Sequence, residues 1–199
     1  HHREFRMIDL GDPYTKRPII EALQRVRHDV TQYFGTLPTD IFWAQPQQSW
    51  SPAEHLHHLL KSARPVVLGM NLPRPILRLL FGNAERISRR YADVRKTYRT
   101  KLAGGFKSPW LFEPKRPHFS EANPELQREK LLQQWKDLCD DLISSLEKWQ
   151  ENDLDRYRLP HPSLGKISVR EMLLFTLYHN IHHIKSVQMR LENQRVPVA

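Results

Sequence analysis

The chain has 199 residues, with 31 Lys and Arg against 22 Asp and Glu, a net charge of +9 and one cysteine, Cys139. That length suits one domain with a full core, and a lone cysteine excludes an intramolecular disulfide and fits a reducing cytoplasm. No secretory leader is visible, and no apolar run approaches the roughly 18–20 residues needed to span a bilayer, so no membrane association is expected. His1-His2 reads as the stub of a purification tag. Residues 1–10 are therefore set aside as a tag remnant and flexible N-terminus, and 11–199 as a single domain.

Four long helical stretches can be read, with no persuasive strand. The first runs from about Arg17 to Phe34, where Ile19, Leu23, Val26, Val30 and Phe34 mark an apolar stripe. The second begins at Ser51-Pro52-Ala53-Glu54, a capping box with proline at the first helical position. Pro65 is expected to kink or end it. Two further pieces follow, a short one over Ile76–Phe81 and a longer one over 85–102, stopped by Gly104-Gly105. Gly104 to Asn123 reads as a loop stiffened by Pro109, Pro114 and Pro117 and rich in aromatic residues, a lid or a flap packed on the bundle.

Asn123 caps the third long helix, with Leu132, Trp135, Leu138, Cys139, Leu142, Leu146 and Trp149 as its stripe. Cys139 on that stripe reads as a small core residue rather than a nucleophile. Asn152 to Ile167 is a connector. Ser168-Val169-Arg170-Glu171 forms a second capping box, with Ile167 and Met172 in staple positions, and opens the last helix, which runs to about Asn193. The architecture is all-α, a four-helix bundle with extra short helices between the second and third long ones.

The positive charge invites a nucleic-acid reading. Much of it lies in 86–101, at Arg86, Arg89, Arg90, Arg95, Lys96, Arg99 and Lys101. Ile87, Tyr91, Val94, Tyr98 and Leu102 recur there at helical spacing, so the basic residues read as the wet side of an amphipathic helix. No recognition-helix motif accompanies them, and no nucleic-acid partner is expected.

Two histidine clusters carry the chemistry: His55, His57 and His58 on the second long helix, and His179, His182 and His183 on the last. His179 and His183 are one turn apart and share a stripe with Leu173, Thr176 and Val187, so they replace core residues. Two buried imidazoles need partners, either ordinary hydrogen bonds or a metal ion. A third imidazole from a neighbouring helix would complete a three-histidine site with open positions. His182 and His57 point about 100° away from their neighbours and suit outer positions. Periodicity does not choose between His55 and His58. The H-x-x-x-H skeleton of zinc proteases is present, but Asn180 stands where that motif needs a glutamate base.

Three ordered pieces resemble a known family: Trp50-Ser51 leading to Glu54 and His58, the connector from Leu159 to Ser168, and His179-Asn180-Ile181-His182-His183. In that order they are similar to the DinB-like superfamily, whose fold is shared with the bacillithiol and mycothiol transferases. The resemblance implies a DinB-type bundle holding one divalent metal, zinc or nickel, at His58, His179 and His183, and so favours His58 over His55. It further implies a transferase that activates a low-molecular-weight thiol for attack on an electrophile, both small-molecule partners. Glu54 or His182 would orient a ligand. A metal-dependent hydrolase and a non-catalytic, stress-related metal-binding protein are the alternatives. Relatives often dimerise, and exposed tryptophans would serve a homodimer. Many relatives carry glutamine where this chain has Ser186, which bears on the pocket rather than the ligands.

Overall fold

The computed structural model describes residues 9–46, 49–107, 109, 111–114 and 123–193. Most of the segment read as a tag remnant and flexible N-terminus therefore lies outside the described residues, as do Trp110 and Phe119 of the aromatic loop. The four long helices are α1 (Lys16–Thr36), α3 (Pro52–Met70), α6 (Pro124–Glu147) and α8 (Val169–Asn193). Shorter helices lie between them: α2 (Thr39–Trp43), α4 (Arg74–Phe81), α5 (Tyr91–Ala103) and α7 (Glu151–Arg156). Among the described residues, no helix is long and apolar enough to cross a membrane.

The long helices close into a ring, α1 against α6, α6 against α3, α3 against α8 and α8 against α1. Each contributes its stripe to one core. In α1 this is the expected set from Ile19 to Phe34, and in α6 it runs from Leu132 to Leu146. Cys139 is buried within it, and burial pushes its thiol pKa well above the ordinary range.

Three local expectations are corrected. First, of the kink or end expected at Pro65, the end does not occur: α3 continues through it to Met70. Val66 and Met70 stay buried beyond the proline. Burying two such side chains, at about 1.5–3 kcal/mol each, offsets the roughly 3 kcal/mol of an interior proline. Second, 85–90 is not helical. Its backbone is engaged elsewhere: Arg89 N–H donates to Glu171 Oε1 at 2.8 Å, and the Ser88 carbonyl accepts from the Tyr14 hydroxyl at 2.9 Å. Helix α5 therefore starts only at Tyr91, and Ile87 lies exposed. Tyr91, Val94 and Tyr98 are buried as their spacing required, while Arg95, Lys96, Arg99 and Lys101 face solvent.

Third, the connector before α8 folds into an antiparallel hairpin, β1 (Arg158–His161) with β2 (Gly165–Ser168), in register Arg158 with Ser168 and His161 with Gly165. Gly165 takes a φ of 75° that closes the turn without strain. The strands are four residues each, too short to show an alternating pattern. The hairpin also alters the second capping box. Ser168 Oγ accepts from Glu171 N–H at 3.1 Å, but the buried Glu171 carboxylate turns away from the helix terminus to Arg89 at 2.9 Å and Arg86 at 3.4 Å. Only half the box forms.

Helix α8 is buried almost all round from Val169 to Ile181. Helices α1 and α3 cover its inner face, while α5, α7 and the hairpin pack on it from outside. A helix enclosed in this way has no wet side to reveal in its periodicity.

Candidate metal centre

The start of α3 is fixed by a complete capping box. Ser51 Oγ accepts from Glu54 N–H at 3.1 Å, and Glu54 Oε2 accepts from Ser51 N–H at 2.7 Å. Gln45 Nε2 also donates to that carboxylate, at 3.1 Å. Glu54 is thus committed to the helix terminus rather than to orienting a ligand. One and two turns on, His55 and His58 leave the same face of α3 towards α8.

His58, His179 and His183 converge, each buried, with one ring nitrogen from each within 4.8 Å of the others. His58 Nε2 lies 3.1 Å from His179 Nε2, and His183 Nε2 lies 3.0 Å from the same atom. The opposite ring nitrogens are held from behind. His58 Nδ1 donates to the Phe112 carbonyl at 2.7 Å. His55 Nδ1 and His183 Nδ1 share a hydrogen bond of 2.7 Å. Both histidines that periodicity left open therefore have a place, His58 in the cluster and His55 behind it.

Burial holds every ring of the group neutral at physiological pH. It depresses the pKa of His55 to about 3. It lowers His58 despite the opposing hydrogen bond to the Phe112 carbonyl, and keeps His179 and His183 well below the ordinary histidine value. Neutral imidazole is the ligating form.

The donor set fits a cation. A carbonyl only accepts, so the proton of neutral His58 sits on Nδ1 and its Nε2 presents a lone pair to His179. If His183 likewise donates from Nδ1 to His55, its Nε2 presents a second lone pair to the same atom. One proton on His179 Nε2 can point along only one of these directions, whereas an ion at the meeting point takes all three lone pairs. Trp50 covers the group, its ring 4.8 Å from that of His58 and stacked on that of His183 at 6.0 Å.

The outer histidines fall as spacing required: His182 and His57 are half-buried and lie outside the trio. Asn180 Nδ2 donates to the Thr176 carbonyl of its own helix at 2.8 Å, and its neutral amide offers no base in place of a carboxylate. Ser186 Oγ donates to the His182 carbonyl at 2.9 Å and does not enter the group. Of the tryptophans, Trp135 and Trp149 are buried and Trp43 and Trp50 half-buried, so none of these four is exposed for a dimer contact.

His58 and His179 also form one wall of a cavity of about 370 Å³. Its other walls come from α3 at Val66 and Gly69, α5 at Tyr98, the 106–112 segment at Phe106 and Phe112, the hairpin at Leu159 and His161, and α8 at Phe175. The aromatic segment thus packs on the bundle in its described part, and it supplies the carbonyl that orients His58. Spacing gave no sign of the Phe112 carbonyl, His161 or Tyr98 as site groups. It left His55 open as an alternative to His58, three residues away on the same face, but not as the partner of His183; a backbone carbonyl leaves no signal.

A ring of four helices with a buried trio of histidines facing a cavity defines a helical-bundle protein with a centre suited to a metal. Residues 22–187 match the model of the DinB superfamily, and the chain belongs to that superfamily. No curated protein and no solved structure matches it.

Proposed function

We propose that this protein is a divalent-metal-dependent transferase that activates a low-molecular-weight thiol for attack on an electrophile. Its ion, zinc or nickel by the preference of imidazole donors, would be held by the Nε2 atoms of His58, His179 and His183. The observation that carries this reading is the convergence of those three nitrogens, His179 Nε2 lying 3.1 Å from that of His58 and 3.0 Å from that of His183, with His58 anchored from behind on a carbonyl and His183 on His55. Bound there, a divalent ion supplies the positive charge that keeps a thiol as its nucleophilic thiolate at neutral pH.

The chain's own groups do the remainder. His55 and the Phe112 carbonyl fix the rings and their protons. Trp50 excludes water from one side. The cavity against His58 and His179 receives the second substrate, which favours a reacting centre over a purely storage or structural one. In the transfer the sulfur lone pair forms a C–S bond to the electrophilic carbon. The bond broken at that carbon leaves its pair on the leaving or adjacent atom, and the proton given up by the thiol balances that charge. The excess of Arg and Lys attracts a thiol that carries carboxylates.

The test is elemental analysis of protein freed of any tag and exposed to zinc or nickel, followed by thiol consumption with a model electrophile. About one equivalent of metal is expected in the wild type and loss of it in His58→Ala and His183→Ala, with metal-dependent, thiol-selective turnover. A protein that holds no metal overturns the reading, and hydrolysis of an ester without thiol moves it to a hydrolase.

A further inference from the structure

We infer that the cavity is shaped for a largely apolar, ring-containing molecule with one hydrogen-bond acceptor, and that the Nε2–H of His161 receives that acceptor. As the identity of the electrophile, this rests on the transferase reading; as a binding site, it stands on the cavity alone.

The apolar half follows from the walls. Phe81, Phe106, Phe112, Phe175 and Tyr98 bring five aromatic rings to the space, with Val66, Leu72, Leu159 and Met172 between them. A charged or strongly hydrated ligand would lose its water there without compensation, while flat apolar rings gain both burial and edge contacts.

The polar half follows from the hairpin turn. His161 Nδ1 accepts from the backbone N–H groups of Leu164 at 3.1 Å and Ser163 at 3.2 Å. Both are donors that cannot be reversed, so the single proton of the neutral ring must sit on Nε2. The ring is fixed edge-on against Phe175 at 4.2 Å, and His161 lines the cavity. No protein group among the described residues accepts from Nε2. The turn thus sets a donor of known tautomer and orientation in an otherwise apolar wall. The other polar groups there are differently placed. His58 and His179 turn Nε2 towards each other at 3.1 Å, Ser62 Oγ lies 3.5 Å from His58 Nε2, and the Tyr98 hydroxyl is a rival donor among the described residues. A carbonyl or ether oxygen is the acceptor this arrangement suits.

The experiment uses a matched pair of inert probes, 2-acetonaphthone and 2-ethylnaphthalene, which differ in the carbonyl oxygen. Dissociation constants are measured by ligand-observed NMR on the metal-free full chain, so the outcome does not depend on thiol chemistry. Wild type is expected to prefer the ketone roughly three- to tenfold, the worth of one neutral hydrogen bond. His161→Asn places Oδ1 where Nδ1 accepts the turn N–H groups, while its own donor, Nδ2–H2, falls at the ring's Cδ2 position and short of the place of Nε2–H, so the preference should vanish with hydrocarbon binding kept. Tyr98→Phe should retain it. Independent of any variant, the wild-type His161 Nε2 resonance should shift with the ketone and not with the hydrocarbon. Binding of neither probe, equal affinity for both, a preference that survives in His161→Asn, or one lost in Tyr98→Phe overturns the inference. Absence of thiol transfer with the ketone preference intact refutes the reaction and leaves the binding site standing.

Discussion

His183 divides its two nitrogens between tasks, Nε2 towards His179 and Nδ1 towards His55 at 2.7 Å. His58 does the same with His179 and the Phe112 carbonyl. The second anchor is backbone and cannot be mutated away, but the first can. His55→Phe keeps an aromatic ring beside Trp50 and removes the nitrogen that His183 Nδ1 bonds, so zinc affinity is expected to fall about 10–100-fold, the usual effect of losing a group that orients a ligating histidine. Chelator competition measures it, and an unchanged affinity would show that His183 is oriented by something else. The histidines were legible individually because polar residues on an apolar stripe stand out. Their division of labour was not, since periodicity gives a face and not a partner. Cys139 was legible on the same ground: it stood on a stripe and it is core.

The two capping boxes contrast how far a local motif reaches. The box at Ser51 forms in full, and it sets the first turn of the helix that presents His55 and His58. Ser51→Ala is expected to cost about 1 kcal/mol in urea-melt stability, with unchanged helix content by circular dichroism because the stripe of α3 remains packed. A loss below a few tenths of a kcal/mol would mean the box contributes little beyond that packing. The box at Ser168 matches the same pattern and closes only halfway, because Glu171 is drawn to Arg89, 82 positions away in sequence. The missing start of helix at 85–90 is the other side of that contact. Pro65 belongs here as well, since a breaker within one element was overruled by the apolar contacts of its neighbours.

Enclosure is what the assembled bundle adds, and it sets the pH behaviour of the whole. Burial lowers the His161 pKa to about 4, while an unfolded histidine titrates near 6.5. Between those values the unfolded chain binds the extra proton and the folded one does not, so stability is full above about pH 6.5 and falls as pH drops towards 4. His161 is expected to contribute about 1.4 kcal/mol per pH unit within that window. Urea titrations at several pH values should show a slope that His161→Asn reduces, and equal slopes would argue against a neutral, enclosed ring. Periodicity and capping act within a few residues of chain, and they sufficed for the helical class, the four long elements, one terminus in full and the residues that replace core with imidazole. The hairpin, the all-round burial of α8, the pairing of His55 with His183 and the cavity beside His58 and His179 came only with packing. Each of these depends on groups distant in sequence whose desolvation and hydrogen bonding outweigh local preference, and that balance exists only once the helices are packed.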